Sequence, residues 1–247
     1  MILRKWDELP AEMRTDEVKR YYDILSKKKF SLVLKRAFDI IASSILIILL
    51  IPFFIITAIA IKLDSPGPVF YRQIRVTRYG EKYKIFKFRS MVVNADKGSL
   101  ITVSGDRRIT KTGAFIRKYK LDELCQLFDV FRGTMTFVGT RPEVPKYVGM
   151  YTNEMYATLL TRAGITSLAS VYYKDENELL DASDDIDKTY TEVVLPDKMK
   201  YNLEAIENFS FFGDIKIIFM TVFAVLGKNY TDKEKTKEKS ENEMQKV

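Results

Sequence analysis

Apolar residues fall along this chain in several distinct patterns, each predicting a different kind of element. From Ala37 to Leu63 the run AFDIIASSILIILLIPFFIITAIAIKL is almost wholly apolar, long enough for a hydrocarbon core that takes about 20 helical residues. Its central residues, Ile45 to Ile56, are apolar on every face of a helix, which suits lipid better than a protein core. Pro52 removes one backbone hydrogen bond and crowds the preceding turn, so a bend is expected there. Lys35 and Arg36 precede the run, and Lys62, Arg72, Arg75 and Arg78 follow it. A spanning helix concentrates cations on its cytoplasmic side. Charge at both ends therefore leaves two topologies open, a re-entrant helix that turns back at Pro52 and a simple spanning helix. Asp39, Ser43 and Ser44 make the first part less apolar and put it near the interface.

The remaining patterns are shorter. Between Trp6 and Lys29, and on to Phe30, apolar positions Leu9, Met13, Val18, Tyr21, Tyr22 and Leu25 punctuate charged residues. They predict an amphipathic helix lying on the membrane or packed against the domain. Val69 to Met91 alternates aromatic or β-branched residues with basic ones, and Tyr79-Gly80 supplies a turn, so a two-stranded hairpin is expected. From Gly113 to Gly133 the positions Phe115, Ile116, Leu121, Leu124, Leu127, Phe128 and Phe131 recur with mostly helical spacing. Phe209 to Leu226 is strongly apolar and reads as a second, in-plane membrane helix. Asp175 to Asp187 is acidic and fits no EF-hand spacing, so a solvated loop is expected. The tail 228–247, rich in Lys, Glu, Thr and Asn, predicts disorder.

Composition narrows the chemistry. The 247 residues carry a formal charge of +7 and a pI near 9.2, which favours an anionic partner: nucleic acid, acidic lipid or a phosphorylated substrate. There is no histidine, which excludes Ser-His-Asp triads, Cys-His dyads and histidine metal ligands. The single cysteine, Cys125, cannot close an intrachain disulfide and reads as a small buried side chain. The first thirty residues are charged and the apolar run comes late for a cleavable signal peptide. Catalysis must come from carboxylates, lysines, arginines and hydroxyls.

In the stretch RKYKLDELCQLFDVFRGTMTFVGTRP, the adjacent Asp122 and Glu123 lie between Arg117 and Arg141. Cations that hold phosphate oxygens beside a carboxylate offset the repulsion between two anions, so the pattern points to phosphoryl chemistry. If a helix begins near Lys120, its first-turn amides favour both carboxylates as anions. Neighbours on a helix point about 100 degrees apart, so the two acids take different roles.

With KRAFDIIAS, SPGPVFYRQIR, KFRSM, GDRRITKTGAFIRKYKLDELCQLFDVFRGTM, FVGTRPE and SFFGDIKIIF in this order, the chain resembles the bacterial sugar transferases, small monotopic polyprenyl-phosphate glycosyl-1-phosphate transferases, from about Lys35 to Leu226. The resemblance implies an Asp-Glu dyad at Asp122 and Glu123, both toward Mg²⁺, with Asp122 as nucleophile on the phosphate of a UDP-sugar. Undecaprenyl phosphate would be the acceptor and UMP the leaving group. It further implies phosphate binding by Arg117 and Arg141, with Lys87 and Arg89 as additional candidates, and a membrane helix broken at Pro52. The setting implied is the bacterial inner membrane with the catalytic domain in the cytoplasm.

The organisation expected is an amphipathic leader at 1–34, a re-entrant membrane helix at 35–64, a catalytic domain at 65–227 and the charged tail. The fold class is α+β, mainly α-helical, with strands near Val69 to Phe88. A homo-oligomer is compatible with this reading, and nucleic acid is not an expected partner. Four departures from the family pattern stand out. Thr140 replaces the first proline of Pro-Arg-Pro, Cys125 a proline after the dyad, Thr77 a common glycine, and RAGITSLASVYYKD from Arg162 a more usual Arg-Pro-Gly-Ile-Thr-Gly-Trp run. The last favours a rival reading, a non-catalytic membrane adaptor that binds acidic lipid or a partner through its basic hairpin.

Overall fold

The computed structural model describes residues 3–93, 95, 106–173, 180, 183, 185–227 and 230. Most of the acidic stretch between Asp175 and Asp184, and nearly all of the tail 228–247, lie outside the described residues. Helices dominate, and the two small sheets are β1 (Phe70–Val76) with β2 (Lys82–Phe88), antiparallel, and β3 (Met135–Val138) with β4 (Ala163–Thr166), parallel. The hairpin is where the alternation put it. Its turn works because Tyr79 and Gly80 both take left-handed conformations, φ 61° and 75°, as a tight hairpin turn requires. The pair β3 and β4 adds strands to those expected at 69–88. Each is four residues long, too short for its periodicity to stand out from a buried helix segment.

Helix α1 (Asp16–Lys27) starts at Thr15, whose hydroxyl accepts from the Val18 amide, a favoured N-cap arrangement. Its stripe of Val18, Tyr21 and Leu25 is buried, as are Leu9 and Met13 just before it. The stripe packs in the largest core cluster with residues such as Leu160, Val194 and Met199, and the Tyr21 hydroxyl donates to Glu154 at 2.7 Å. Of the two placements open for the leader, packing against the domain is the one observed. Phe30, off the stripe, is exposed.

Helix α2 runs without interruption from Lys29 to Asp64, with Pro52 inside it. It starts before the boundary expected at residue 35, because the charged turn ahead of the apolar run is helical too. Among the described residues it is the one helix long and apolar enough to cross a membrane. One face, comprising Asp39, Ser43, Phe54, Thr57 and Ile61, is buried against the domain, and Ile47, Leu50 and Phe53 pack on the same cluster. These positions recur at helical spacing over almost the whole apolar length. The other faces expose Ile41, Ile48, Leu49, Ile55, Ile56 and Leu63.

Beyond β2, the stretch expected as one helix from Gly113 to Gly133 is divided. Helix α3 (Lys111–Lys118) ends, Lys120 takes a left-handed φ of 53°, and a 3-10 turn (Leu121–Cys125) runs directly into α4 (Gln126–Arg132). Gly133, φ 86°, closes α4. After β3 come short α5 (Pro145–Val148) and, beyond β4, α6 (Leu168–Tyr172). Helix α7 (Ile186–Thr189) continues through a π turn (Tyr190–Val194) into α8 (Leu195–Glu207), and α9 (Phe211–Val225) follows. The apolar reading of 209–226 matches α9, which exposes Phe212, Phe219, Val222 and Val225.

Candidate active site

The dyad occupies the first turn of the helical segment that becomes α4. Lys120, in its left-handed conformation, reverses the chain out of α3 and delivers Leu121, Asp122 and Glu123 to a fresh helix start, where first-turn amides favour negative charge. The apolar neighbours hold the turn in place. Leu121 and Leu124 pack with Ile116, Phe88 and the buried Cys125.

Two cations from different elements converge on Glu123. Arg141 pairs with it through both terminal nitrogens, one of them 3.3 Å from Oε2. Lys87 Nζ, from β2, lies 3.5 Å from Oε1. Strand β2 is positioned from below by Asp129 of α4, whose carboxylate accepts from the Phe86 amide at 2.8 Å, beside Lys87. The Glu123 side chain is 18% exposed and that of Arg141 is 40% exposed, so the arginine is the open edge of the cluster. Burial alone would raise the Glu123 carboxyl, but Arg141 and Lys87 outweigh it and hold the group well below the usual carboxylate range. Burial also lowers the Lys87 ammonium, opposed by the Glu123 charge.

Asp122 differs from its neighbour. Among the described residues no other side chain forms an ion pair or hydrogen bond with its carboxylate. Burial raises its carboxyl and the Glu123 charge adds to that, while Lys87 and Arg117 pull it down. Arg117, in the last turn of α3, therefore acts on Asp122 through its charge alone. The two acids sit in unlike environments, one saturated and one open, as their helical offset led us to expect.

Arg141 is held by its backbone. The Val76 amide donates to the Glu143 carbonyl at 2.9 Å, Arg75 Nη1 donates to the Pro142 carbonyl at 3.0 Å, and the Tyr190 hydroxyl donates to the buried Glu143 carboxylate at 2.7 Å. Thr140, which stands where the family pattern has proline, accepts from the Gly164 amide at 2.9 Å through its carbonyl. Its backbone role does not depend on a ring.

Arg89 is placed elsewhere. It is 5% exposed and donates to the Ser65 carbonyl at 2.6 Å, the Ser65 hydroxyl at 2.8 Å and the Pro66 carbonyl at 3.0 Å. These bonds satisfy the chain where α2 ends, as a basic residue at a helix C-terminus does. The structure thus brings together Asp122, Glu123, Lys87, Arg117 and Arg141, and commits Arg89 to the chain at the end of α2. Pro52 lies within that helix, away from the acids.

Residues that the sequence pattern did not single out complete the frame. Asp129 and Glu143 are buried and bonded, and Asp39, noted in the sequence only for its polarity, accepts from the Thr136 hydroxyl at 2.8 Å and the Phe137 amide at 3.1 Å. An acid inside an apolar run signals such a partner, because an unpaired charge there is costly. The altered segment after Arg162 forms β4 and α6, with Ala169 and Val171 buried. At Gly164 an added Cβ would lie 2.2 Å from the Gly139 amide nitrogen, so the two glycines let β3 and β4 approach.

Fold and site together define a helical domain seated on an apolar helix, with a carboxylate pair ringed by cations. The chain matches the bacterial sugar transferase family over residues 30–228, and it belongs to that family. It is 37% identical over 198 residues to a UDP-N-acetylgalactosamine-undecaprenyl-phosphate N-acetylgalactosaminephosphotransferase of Aeromonas hydrophila, covering 78% of this chain and 44% of that protein. It is also 37% identical over 202 residues to a UDP-glucose:undecaprenyl-phosphate glucose-1-phosphate transferase of Klebsiella pneumoniae, covering 78% and 40%. An uncharacterized sugar transferase of Bacillus subtilis is 31% identical over 196 residues, covering 79% of this chain and 88% of its own. The chain thus spans less than half the length of the first two relatives.

Proposed function

We propose that this protein moves a sugar-1-phosphate from a UDP-sugar to undecaprenyl phosphate in two displacements at Asp122. In the first, an Asp122 carboxylate oxygen attacks the phosphorus that bears the sugar. The bond to the bridging oxygen breaks, and UMP leaves with that electron pair. In the second, a phosphate oxygen of the polyprenyl acceptor attacks the same phosphorus, and the Asp122 carboxylate is released. Splitting the reaction means that the water-soluble donor and the lipid acceptor need not share the site.

The observation that carries this reading is the difference between the two acids. Glu123 is saturated by Arg141 and Lys87, so those cations are fixed in place, while the Asp122 carboxylate beside them is open to a reaction partner. Arg141, more exposed than Glu123 or Lys87, offers a planar fork to phosphate oxygens. Lys87 and Arg117 add charge around the same point.

Mg²⁺ fits the donor set as a visitor with the diphosphate. No group of three or more acid, cysteine or histidine side chains occurs among the described residues, whereas Mg²⁺ commonly takes one or two carboxylates and completes its shell with water and substrate phosphates. The unpaired Asp122 would hold it, with the Glu123 charge beside it adding attraction, and the ion would screen the diphosphate and ease departure of the nucleotide.

The topology we infer is re-entrant. The same domain is bonded to both ends of α2: Arg36 donates to the Val130 carbonyl at the start, and Asp64 accepts from the Thr112 amide at the finish. The helix also packs on the domain between those ends, so its termini belong on one side of the bilayer. That side is the cytoplasmic face of the inner membrane, where cationic flanks on both ends accord with the charge rule. The test is UMP release from a panel of UDP-sugars by purified protein with undecaprenyl phosphate and Mg²⁺. Release with one sugar, together with sugar phosphate trapped on the protein when the acceptor is omitted, is expected. Release that strictly requires both substrates at once would point to direct transfer and sink the two-step reading.

A further inference from the structure

A cavity of about 300 Å³ opens beside the N-terminal part of α2, and none of the dyad cluster lines it. Lys35, Arg36, Arg78 and Arg162 line it together with apolar side chains of α2 that include Val33 and Ile40. Asp39 faces it as well, but its oxygens are taken by Thr136 and Phe137. Lys35 is paired with Asp214.

The arginines are held at the far end of α4 from the dyad. Arg36 donates to the Val130 carbonyl at 2.7 Å and the Phe131 carbonyl at 2.9 Å, and Arg162 Nε donates to the Gly133 carbonyl at 2.7 Å. At a rise of about 1.5 Å per residue, Phe131 lies roughly 12 Å along the helix from Glu123. The two terminal nitrogens of Arg162 have no bonded partner among the described residues. Burial, then the charges of Arg78 and Arg36, push the Arg162 guanidinium down to about 10. Half-buried Arg36 and Arg162 facing one saturated carboxylate leave an excess of positive charge, a costly arrangement for guanidiniums whose bonded partners among the described residues are neutral carbonyls.

We propose that this cavity binds the phosphodiester headgroup of an anionic phospholipid. The apolar wall decides between a lipid and a free anion. Val33 is 47% and Ile40 40% exposed, and they continue into the exposed apolar faces of α2. Acyl chains can follow that surface while the phosphate meets the guanidinium forks. A free phosphate would use the cations and leave the wall bare. The site needs neither the dyad nor a sugar donor, so it stands apart from the transfer reaction. Since Arg36, Arg78 and Arg162 come from α2, the hairpin turn and the approach to β4, a bound lipid would tie those three segments together.

The test uses the full chain in detergent, supplied with phosphatidylglycerol or with phosphatidylcholine, and reads retained lipid by native mass spectrometry. Phosphatidylglycerol should be retained preferentially. Its retention should fall about fivefold in Arg78→Gln and further in Arg78→Gln with Arg162→Gln, while Arg72→Gln, on the exposed hairpin outside the cavity, should leave it unchanged. Equal retention of the two lipids, or equal loss in Arg72→Gln, would overturn the proposal. So would stabilisation by inorganic phosphate as strong as that by phosphatidylglycerol, which would assign the cavity to a free anion. Should the double variant fail to fold, Arg78→Gln alone, its folding checked by thermal unfolding, carries the test.

Discussion

Asp39 and Glu123 are both carboxylates whose oxygens are met by donors, and both precede β3 in the sequence, yet they do different work. Asp39 stands in the apolar helix with its oxygens filled by Thr136 and Phe137 of β3. The arrangement docks one element on another. Glu123 is filled just as completely by Arg141 and Lys87, but beside it sits Asp122, unpaired and within reach of the charges of Lys87 and Arg117. A saturated acid builds a frame, and an open acid next to such a frame can react. This distinction cannot be drawn from the residue types alone.

The comparison can be broken at several points. Asp122→Asn should lower UMP release at least about 10⁴-fold, the scale on which loss of a covalent nucleophile is felt, with detergent extraction and thermal unfolding unchanged. Turnover near that of the unaltered protein would remove Asp122 from the chemistry. Chelation with EDTA should take release to background and added Mg²⁺ should restore it, whereas a non-catalytic adaptor would show only salt-sensitive lipid binding. Arg141→Ala should cost roughly 10²- to 10³-fold, as removal of one preorganised charge-stabilising donor does. Its thermal unfolding should move little, since the pair is partly exposed.

On the other side of the comparison, Asp39→Ala should behave as a structural change. It leaves the Thr136 hydroxyl and Phe137 amide without a partner, at a cost of about 2–4 kcal/mol. Thermal unfolding in detergent should register that loss while the folded fraction keeps its turnover. The smallest effect is expected at Cys125, whose thiol is buried and pushed up by that burial. Cys125→Ala should keep turnover within about twofold, and thiol reagents should leave the native protein active, because a buried protonated thiol is inert.

Much of this was legible in the sequence where the signal is local. The apolar run, the hairpin with Tyr79-Gly80 at its turn, and the acid pair at a helix start all depend on residues near one another in the chain. What escaped depends on partners far apart. Arg89 follows directly on the basic strand that holds Lys87, yet its destination is the chain leaving α2, at Ser65 and Pro66, and nothing in KFRSM distinguishes the two fates. The break at Lys120 was hidden because lysine does not advertise a left-handed backbone as glycine would. The strands β3 and β4 meet only because Gly139 and Gly164 allow contact between segments separated by α5 and a 3-10 stretch. The buried stripe of α1 was readable as amphipathic, but its partner, protein or lipid, was not.

The long helix has a bearing on how this protein can be handled. Anchors are often removed to obtain water-soluble material, but here Asp39, Ser43, Phe54 and Ile61 are part of the domain's own interior. Deleting α2 would strip one wall from the core and leave the Thr136 hydroxyl and the Phe137 amide without their partner Asp39. A soluble version should instead keep that inner face and replace the outward positions Ile41, Ile48, Leu49, Ile55, Ile56 and Leu63 with charged residues. The helix would then remain as scaffolding after its role as an anchor has been designed away.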